Sequence, residues 1–201
     1  TCPKCGTVRP WFVAECPHCA AIPQDTALFH DALNEQSRHI VGGRYELRVR
    51  LSSGAVSRVY RGVDTANPAV DLAIKEFFPV AMFRADEKRE LDRQFHALCD
   101  TWRAVENQGV MRILDVFAER ERYYVVTEFF DGWSLKRVIE EQRVRVVPDL
   151  ARNWGAQFCH TLSTLSVSDP GLHVPFLAPQ HLMVSASGEI KLIDLGLTAL
   201  F

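Results

Sequence analysis

The stretch from Leu172 to Leu197, LHVPFLAPQHLMVSASGEIKLIDLGL, decides how the rest of this sequence is interpreted. Its second half places apolar residues on both sides of a turn that contains serine and glycine, a pattern typical of a β-hairpin. Asp194 follows the second apolar run directly. We expect this hairpin to be packed structure, with an apolar frame formed by Leu182, Val184, Ile190, Leu192 and Ile193.

Composition and charge limit the classes of protein to which the chain can belong. Its 201 residues are 47% hydrophobic and 24% charged, which predicts one medium globular domain with a small appendage. The net charge of −2 gives no basic field that would recruit nucleic acid or an anionic membrane. No apolar run reaches the roughly 18 residues of a membrane span, and no signal peptide is visible. We therefore expect a cytoplasmic protein.

The two ends of the sequence suggest a longer protein. The chain starts at Thr1 without a methionine, and it stops at Phe201 just as the apolar segment LGLTALF ends. We expect a piece of a larger chain, which could be the cytoplasmic part of a membrane-tethered protein with its membrane segment after Phe201.

Four of the six cysteines form two C-x2-C pairs near the N-terminus, Cys2 with Cys5 and Cys16 with Cys19. Each pair can present two thiolates from a tight turn, so the four sulfurs can surround one zinc ion. Disulfides are the alternative, and they would need an oxidising compartment. We predict a structural zinc site in residues 1–22, closed to water and substrate because all four positions are occupied. This segment resembles the short zinc ribbons of many bacterial proteins, which often bind other proteins.

The middle of the chain changes from a linker to a β-rich domain. Residues 23–43 predict a linker with one short helix that could pack on the next domain. From residue 44 onward, apolar alternation predicts a hairpin whose turn contains Gly54, followed by the strand segment DLAIKEFFP with Lys75. Helical spacing predicts helices in residues 85–105 and 149–165, with two strands in the segment GVMRILDVFAERERYYVVTEFF between them.

In order and spacing, residues 44–198 resemble the protein kinase family. LSSGAVSRV matches the glycine-rich loop G-x-G-x-x-G-x-V with only Gly54 kept, and AIK, ending in Lys75, matches V-A-I-K. IDLGL matches D-F-G with Asp194, and KEFFP resembles the KEYFP variant common in bacterial serine/threonine kinases. The resemblance implies an α+β fold. Its N-lobe, an antiparallel sheet plus one helix, would span residues 44–131, and a minimal, truncated helical C-lobe would span residues 132–201.

The same resemblance implies that reactive groups are missing. In the family pattern H-R-D-x-K-P-x-N, Pro179 keeps the proline. The aspartate, lysine and asparagine positions hold Phe176, Ala178 and His181. The family's helix glutamate falls on Leu98, although a shift of one helical turn could offer another acid. Phosphoryl transfer needs a carboxylate to orient the hydroxyl, a cation for the transferring charge and oxygen ligands for Mg²⁺. Phenylalanine cannot orient a hydroxyl.

These patterns support several hypotheses of function. The first is a catalytically inactive pseudokinase that binds or scaffolds protein partners, with structural zinc and without ATP and magnesium. Lys75, Asp194 and Gly54 would then form a vestigial nucleotide site. The second is a weak or atypical nucleotide-dependent kinase or transferase that uses Lys75 and Asp194. The third, nucleic-acid binding through the ribbon, is disfavoured by the charge.

Overall fold

The fold is known from a computed structural model, and the structure describes residues 39–79, 84–141, 146–168, 177–194 and 196–201. The predicted zinc ligands Cys2, Cys5, Cys16 and Cys19, most of the linker, and Phe176 lie outside the described residues. Among the described helices, none is long and apolar enough to cross a membrane.

Six antiparallel strands form the sheet of the first lobe. Their order across the sheet is β1-β2-β3-β4-β6-β5. The strands are β1 (His39–Val41), β2 (Tyr45–Ser53), β3 (Ser57–Asp64), β4 (Asn67–Phe77), β5 (Ile113–Glu119) and β6 (Arg122–Glu128). Both predicted strand pairs are confirmed, β2 with β3 and β5 with β6.

The sheet starts earlier than the predicted lobe, because β1 lies in residues that the sequence assigned to the linker. His39–Val41 pairs antiparallel with the start of β2. Gly42 and Gly43 make the turn with φ of +59° and +63°, and a Cβ on Gly42 would come within 2.9 Å of the Phe117 ring. Three residues are too few to show a period of two, so apolar alternation cannot predict this strand.

Helix α1 (Ala85–Arg103) packs its apolar stripe on one face of this sheet. At its start, the Arg84 backbone N–H donates to the Glu87 carboxylate at 2.8 Å, so the helix begins with a satisfied backbone donor. Leu91, Phe95 and Trp102 are buried, as the spacing predicts, together with Cys99.

The second lobe contains a smaller sheet and one long helix. Strands β7 (Gly132–Ser134), β8 (Leu182–Ser185) and β9 (Ile190–Leu192) pair antiparallel in that order. A π-helical turn covers Arg137–Glu141, helix α2 covers Pro148–Ser168, and 3₁₀ turns cover Pro179–His181 and Leu197–Leu200. Leu182, Val184, Ile190 and Leu192 are buried, so the predicted apolar hairpin is confirmed, and Ile193 is half-buried.

The two cysteines outside the ribbon differ in burial. The sequence predicts that Cys99 and Cys159 are both buried small hydrophobes. Cys99 is buried under α1, whereas the prediction is wrong for Cys159, which is exposed. Helix α2 turns Trp154, Thr161 and Leu165 to the interior, and Cys159 lies on a different side of that helix.

Candidate functional site

Lys75 and Asp194 meet in the cleft between the two lobes. Side chains alternate along β4, so Lys75 points to the same face of the sheet as Phe77 and α1. Asp194 lies two residues beyond β9. The Lys75 ammonium nitrogen is 3.3 Å from Oδ2 of Asp194, across a sequence separation of 119 residues. The structure thus brings together two of the three predicted residues of the nucleotide site.

A third residue, Thr198, completes this cluster. Lys75 Nζ donates to Thr198 Oγ1 at 3.0 Å, and Thr198 Oγ1 donates to Asp194 Oδ2 at 2.8 Å. The Gly196 N–H donates to the other carboxylate oxygen at 3.0 Å from a backbone with φ of +81°. Thr198 has no counterpart in the motifs that identified Lys75 and Asp194, so no sequence pattern predicted its part in the cluster.

Burial makes the charges of this cluster interdependent. The Lys75 and Asp194 side chains are 22% and 10% exposed. Burial lowers the pKa of Lys75, and the nearby Asp194 charge opposes this without reversing it. Burial disfavours the charged form of Asp194, but the Lys75 charge and the Thr198 hydrogen bond outweigh it, so the pKa of Asp194 is lowered. Asp194 is therefore ionised at neutral pH and paired with the lysine.

His181 approaches the same carboxylate from the second lobe. It ends the 3₁₀ turn Pro179–His181, and its Nε2 is 3.6 Å from Asp194 Oδ2. Mg²⁺ prefers oxygen ligands in octahedral geometry. Here a single carboxylate faces a lysine, a threonine and a histidine. In the part of the chain that the structure describes, no group of three His, Cys, Asp or Glu side chains is arranged to hold a metal. These residues fit a magnesium–nucleotide complex poorly.

Gly54, the third predicted residue of the site, bonds within its own turn. Its backbone N–H donates to the Ser57 carbonyl at 2.7 Å, which closes the β2–β3 hairpin. The backbone of Gly54 does not have positive φ, and the nearest atom to an added Cβ would be 3.6 Å away. A side chain would therefore fit at this position, and glycine is not required by the fold there.

Leu98 is a half-buried residue of α1. It packs against the buried apolar cluster that contains Phe95 and Trp102. The cation of Lys75 has its carboxylate partner on the second lobe, at Asp194. Leu98 offers no carboxylate to Lys75, and Asp194 and Thr198 hold the ammonium instead.

The hinge between the lobes carries polar contacts that sequence reasoning missed. Glu128 ends β6, and its Oε1 accepts from Lys191 Nζ at 2.6 Å and from the Arg112 N–H at 3.3 Å. The Lys191 ammonium also lies 5.6 Å from the centre of the Phe130 ring. The hydroxyl of Thr127, the residue before Glu128, donates to the Ala73 carbonyl at 3.4 Å. Glu128 and Lys191 thus tie the end of the large sheet to the small one.

The first lobe is a six-stranded antiparallel sheet with one helix, and it is hinged to a helical second lobe. A lysine of the first lobe contacts an aspartate of the second. This arrangement defines the protein kinase class of fold. The chain belongs to the protein kinase domain family, whose sequence pattern matches residues 45–201. The predicted kinase-like fold is therefore confirmed.

Known relatives are kinases at low sequence identity. CBL-interacting protein kinase 30 of Oryza sativa subsp. japonica is 29% identical over 171 residues, covering 82% of this chain and 33% of that protein. The probable serine/threonine-protein kinase CPE1738 of Clostridium perfringens is 26% identical over 160 residues, covering 79% of this chain and 22% of that protein. The chain thus spans about a third or less of the length of these relatives.

Among solved structures, the apo form of PpkA-294 has a similar fold. The match has a TM-score of 0.67 at 18% identity, covering 80% of this chain and 62% of that chain. At this identity, the similarity concerns the fold.

Proposed function

We propose that this chain is a catalytically inactive pseudokinase that serves as a protein-binding or scaffolding module. One observation carries the proposal: Asp194 is bonded to Lys75 and Thr198 and approached by His181, so the cleft presents a neutralised carboxylate where the family places metal ligands. The substitutions at the catalytic-loop positions, Phe176 and Ala178, support it from the sequence.

The expected loss of activity is large. A positioned general base contributes about 10² to 10⁴ in rate, and fixed charges that stabilise the transition state contribute about 10² to 10³ each. Phe176 and Ala178 supply neither group. Losing both together predicts phosphoryl transfer slower by a factor of about 10⁴ to 10⁷ than with both groups present, while the apolar frame around β8 and β9 keeps the fold available for binding.

A phosphotransfer assay tests this proposal directly. The full 201-residue chain is incubated with radiolabelled ATP, Mg²⁺ and a generic protein substrate, beside the Lys75→Ala variant. We expect equal, background labelling for both proteins. Labelling by the wild type that disappears in Lys75→Ala would refute the pseudokinase proposal.

A weak or atypical nucleotide-dependent transferase is the second candidate. The observation that favours it is the contact between Lys75 and Asp194, two residues that match family motifs and face each other at 3.3 Å. Thermal unfolding with millimolar ATP and Mg²⁺ separates the candidates, because a ligand that binds the folded state raises its melting temperature. An unchanged melting temperature argues against the transferase. A rise that Asp194→Asn abolishes would favour it.

We further propose that residues 1–22 hold a structural zinc ion through Cys2, Cys5, Cys16 and Cys19, in a cytoplasmic bacterial protein whose ribbon contacts a protein partner. Metal analysis of the purified chain should find about one zinc ion per molecule. Cys16→Ser should lower this content, whereas the matched control Cys159→Ser should keep it because Cys159 lies on the surface of α2. Disulfides between the four cysteines in place of zinc would contradict the proposal.

A further inference from the structure

The outer face of the large sheet, opposite Lys75, curls around a cavity. The two edges of the sheet meet there, because the Gly42 N–H donates to Glu119 at 2.8 Å and the Tyr45 hydroxyl donates to Asp115 at 2.6 Å. The cavity has a volume of about 460 Å³. Neighbouring residues on a strand point to opposite faces, so Glu76 lines this cavity while Lys75 faces the cleft. The two sites are therefore separate.

A buried carboxylate forms the floor of the cavity. Glu76 is 3% exposed, and its Oε1 accepts from Arg122 at 2.6 Å and from the Tyr124 hydroxyl at 3.0 Å. The Tyr60 hydroxyl donates to Oε2 at 3.3 Å. The charge of Arg122 and the two tyrosine hydroxyls offset the burial of the Glu76 carboxylate and hold it in place. The floor is thus a polar network with its own internal partners.

The rim of the cavity has excess positive charge. Three arginines, Arg58, Arg120 and Arg122, line the cavity together with two acids, Glu76 and Glu119. Arg120 is 86% exposed, and its Nε is 4.0 Å from Glu119, so its charge is available to a ligand. The guanidinium of Arg58 pairs with Glu76 through Nη1 at 3.8 Å, whereas its buried Nε has no hydrogen-bond acceptor among the described residues. A missing acceptor beside an excess of arginine indicates an occupant that carries carboxylates.

Apolar side chains line the rest of the cavity. Val41, Leu47 and Tyr60 come from the buried cluster of the outer face, and Ile40 is 44% exposed. The matching occupant therefore combines apolar side chains with negative charge.

The chain itself supplies such a segment at the mouth of the cavity. His39 and Ile40 line the cavity, and they are the first residues that the structure describes, so residues 23–38 are joined covalently to the cavity rim. Residues 23–38, PQDTALFHDALNEQSR, contain three acids and one arginine, with Leu28, Phe29, Ala32 and Leu33 on one side at helical spacing. We propose that residues 23–38 dock in this cavity, inserting apolar side chains and placing carboxylates against Arg58, Arg120 and Arg122.

The covalent connection favours this occupant over a separate partner. A segment that begins at the rim of its own binding site has an effective concentration in the millimolar range. Weak contacts are then sufficient, because association costs little further entropy. Docking on the outer face of the sheet does not depend on whether the cleft is catalytic.

Photo-cross-linking within the full chain tests the proposal. Benzoylphenylalanine replaces Arg120, which leaves Arg58, Arg122 and the Glu76 network intact, and mass spectrometry locates the cross-link after irradiation. We expect a cross-link to residues 23–38 within one chain, with a yield that does not depend on protein concentration. A cross-link formed only between chains would assign the cavity to a second copy, and no cross-link to this segment would leave it to another partner. Either result overturns the proposal.

Paired variants of the segment, made in the same photo-reactive protein, separate specific docking from mere proximity. Phe29→Asp places a charge on the apolar side of the predicted helix, whereas Ala27→Asp adds the same charge on the opposite side. Phe29→Asp should remove most of the cross-link, and Ala27→Asp should keep it. Equal yields from both variants would refute the docking. Circular dichroism checks that both retain the fold, since neither residue belongs to the described sheet.

Discussion

Lys75 and Asp194 form a largely buried ion pair, which makes the stability of each charge depend on the other. Removing a charged group from water costs free energy, and the opposite charge with its hydrogen bonds offsets that cost. Lys75 is bonded to Asp194 and Thr198, and its ammonium lies 4.8 Å from the centre of the Phe77 ring. Removing either partner therefore leaves the other charge without a counter-charge at a site with little access to water, which destabilises the fold.

We expect Asp194→Leu to lower the free energy of unfolding by about 1–3 kcal/mol, because the Lys75 ammonium loses its carboxylate. Lys75→Met should also destabilise, since Asp194 keeps only Thr198 and the Gly196 N–H as strong donors. The double variant should be more stable than the sum of the single effects predicts. Urea unfolding of the four proteins gives the coupling free energy.

The exposed pair of Arg152 and Asp149 provides the control. Their side chains are 76% and 86% exposed, so Arg152→Ala should cost less than about 0.5 kcal/mol. Additive effects of Lys75→Met and Asp194→Leu would contradict the buried pair.

The pH dependence of stability follows from the lowered pKa of Asp194. A carboxyl whose pKa is lower in the folded state stabilises the fold at pH above its unfolded pKa, near 4, and loses this contribution as the pH falls through its folded pKa. The difference in unfolding free energy between wild type and Asp194→Asn should be constant above about pH 5 and shrink in more acidic solution. Urea unfolding over a pH series measures it. A difference that grows on acidification would contradict the assigned direction.

At the scale of single elements, α1 packs on the sheet as the helix of a kinase-like lobe does, but it carries leucine at position 98 where the family pattern has glutamate. The helix buries Leu91, Phe95 and Trp102 against the sheet. It also packs against the residue that follows the 3₁₀ turn Leu197–Leu200. The ring of this residue, Phe201, lies 6.1 Å from the ring of Phe95, measured between centres. An apolar residue at position 98 continues this packing surface.

We expect Leu98→Glu to destabilise the protein by about 1–3 kcal/mol, because it places a carboxylate in a half-buried apolar cluster while Lys75 is already paired. The matched control Ala97→Glu changes an exposed position of the same helix and should stay within about 0.5 kcal/mol of wild type. Thermal or urea unfolding compares the two. A more stable Leu98→Glu protein would indicate that Lys75 prefers the helix carboxylate to Asp194.

For the whole molecule, the relative position of the lobes depends on two kinds of link. The first is backbone pairing, since Leu192 N–H donates to the Gly109 carbonyl at 2.8 Å and Met111 N–H donates to the Leu192 carbonyl at 2.9 Å. The second is the side-chain contact of Lys191 with Glu128 at the hinge, with side chains 19% and 31% exposed. Because it is partly buried, this contact contributes more free energy than an exposed ion pair does.

We expect Lys191→Met to loosen the hinge. Amide exchange in residues 128–132 should become about tenfold faster, the factor that corresponds to about 1.4 kcal/mol in local opening. Hydrogen exchange with mass spectrometry measures it. The control is Lys88→Met, because Lys88 contacts Glu121 through side chains that are 45% and 85% exposed. Equal exchange at the hinge in both variants would show that the Lys191–Glu128 contact is not what holds it.

Most elements of the fold could be predicted because their patterns are local. The stripe of Leu91, Phe95 and Trp102 predicts α1, and the alternation around Val59 predicts the first hairpin. The exposure of Cys159 could not be predicted, because an apolar neighbourhood in sequence does not fix which side of a helix faces the core. The buried Glu76 also escaped prediction, since its partners Tyr60, Tyr124 and Arg122 come from other strands.

The sequence by itself determined the order of the elements, the kinase resemblance and the residue types at the catalytic positions, because local periodicity and motif spacing are properties of the chain. Only the tertiary structure decided what Lys75 and Asp194 contact, with Thr198 between them, and that Glu128 reaches Lys191. The physical reason is that these groups lie far apart in sequence. Their distances and burial depend on how the two sheets pack, which no local pattern specifies.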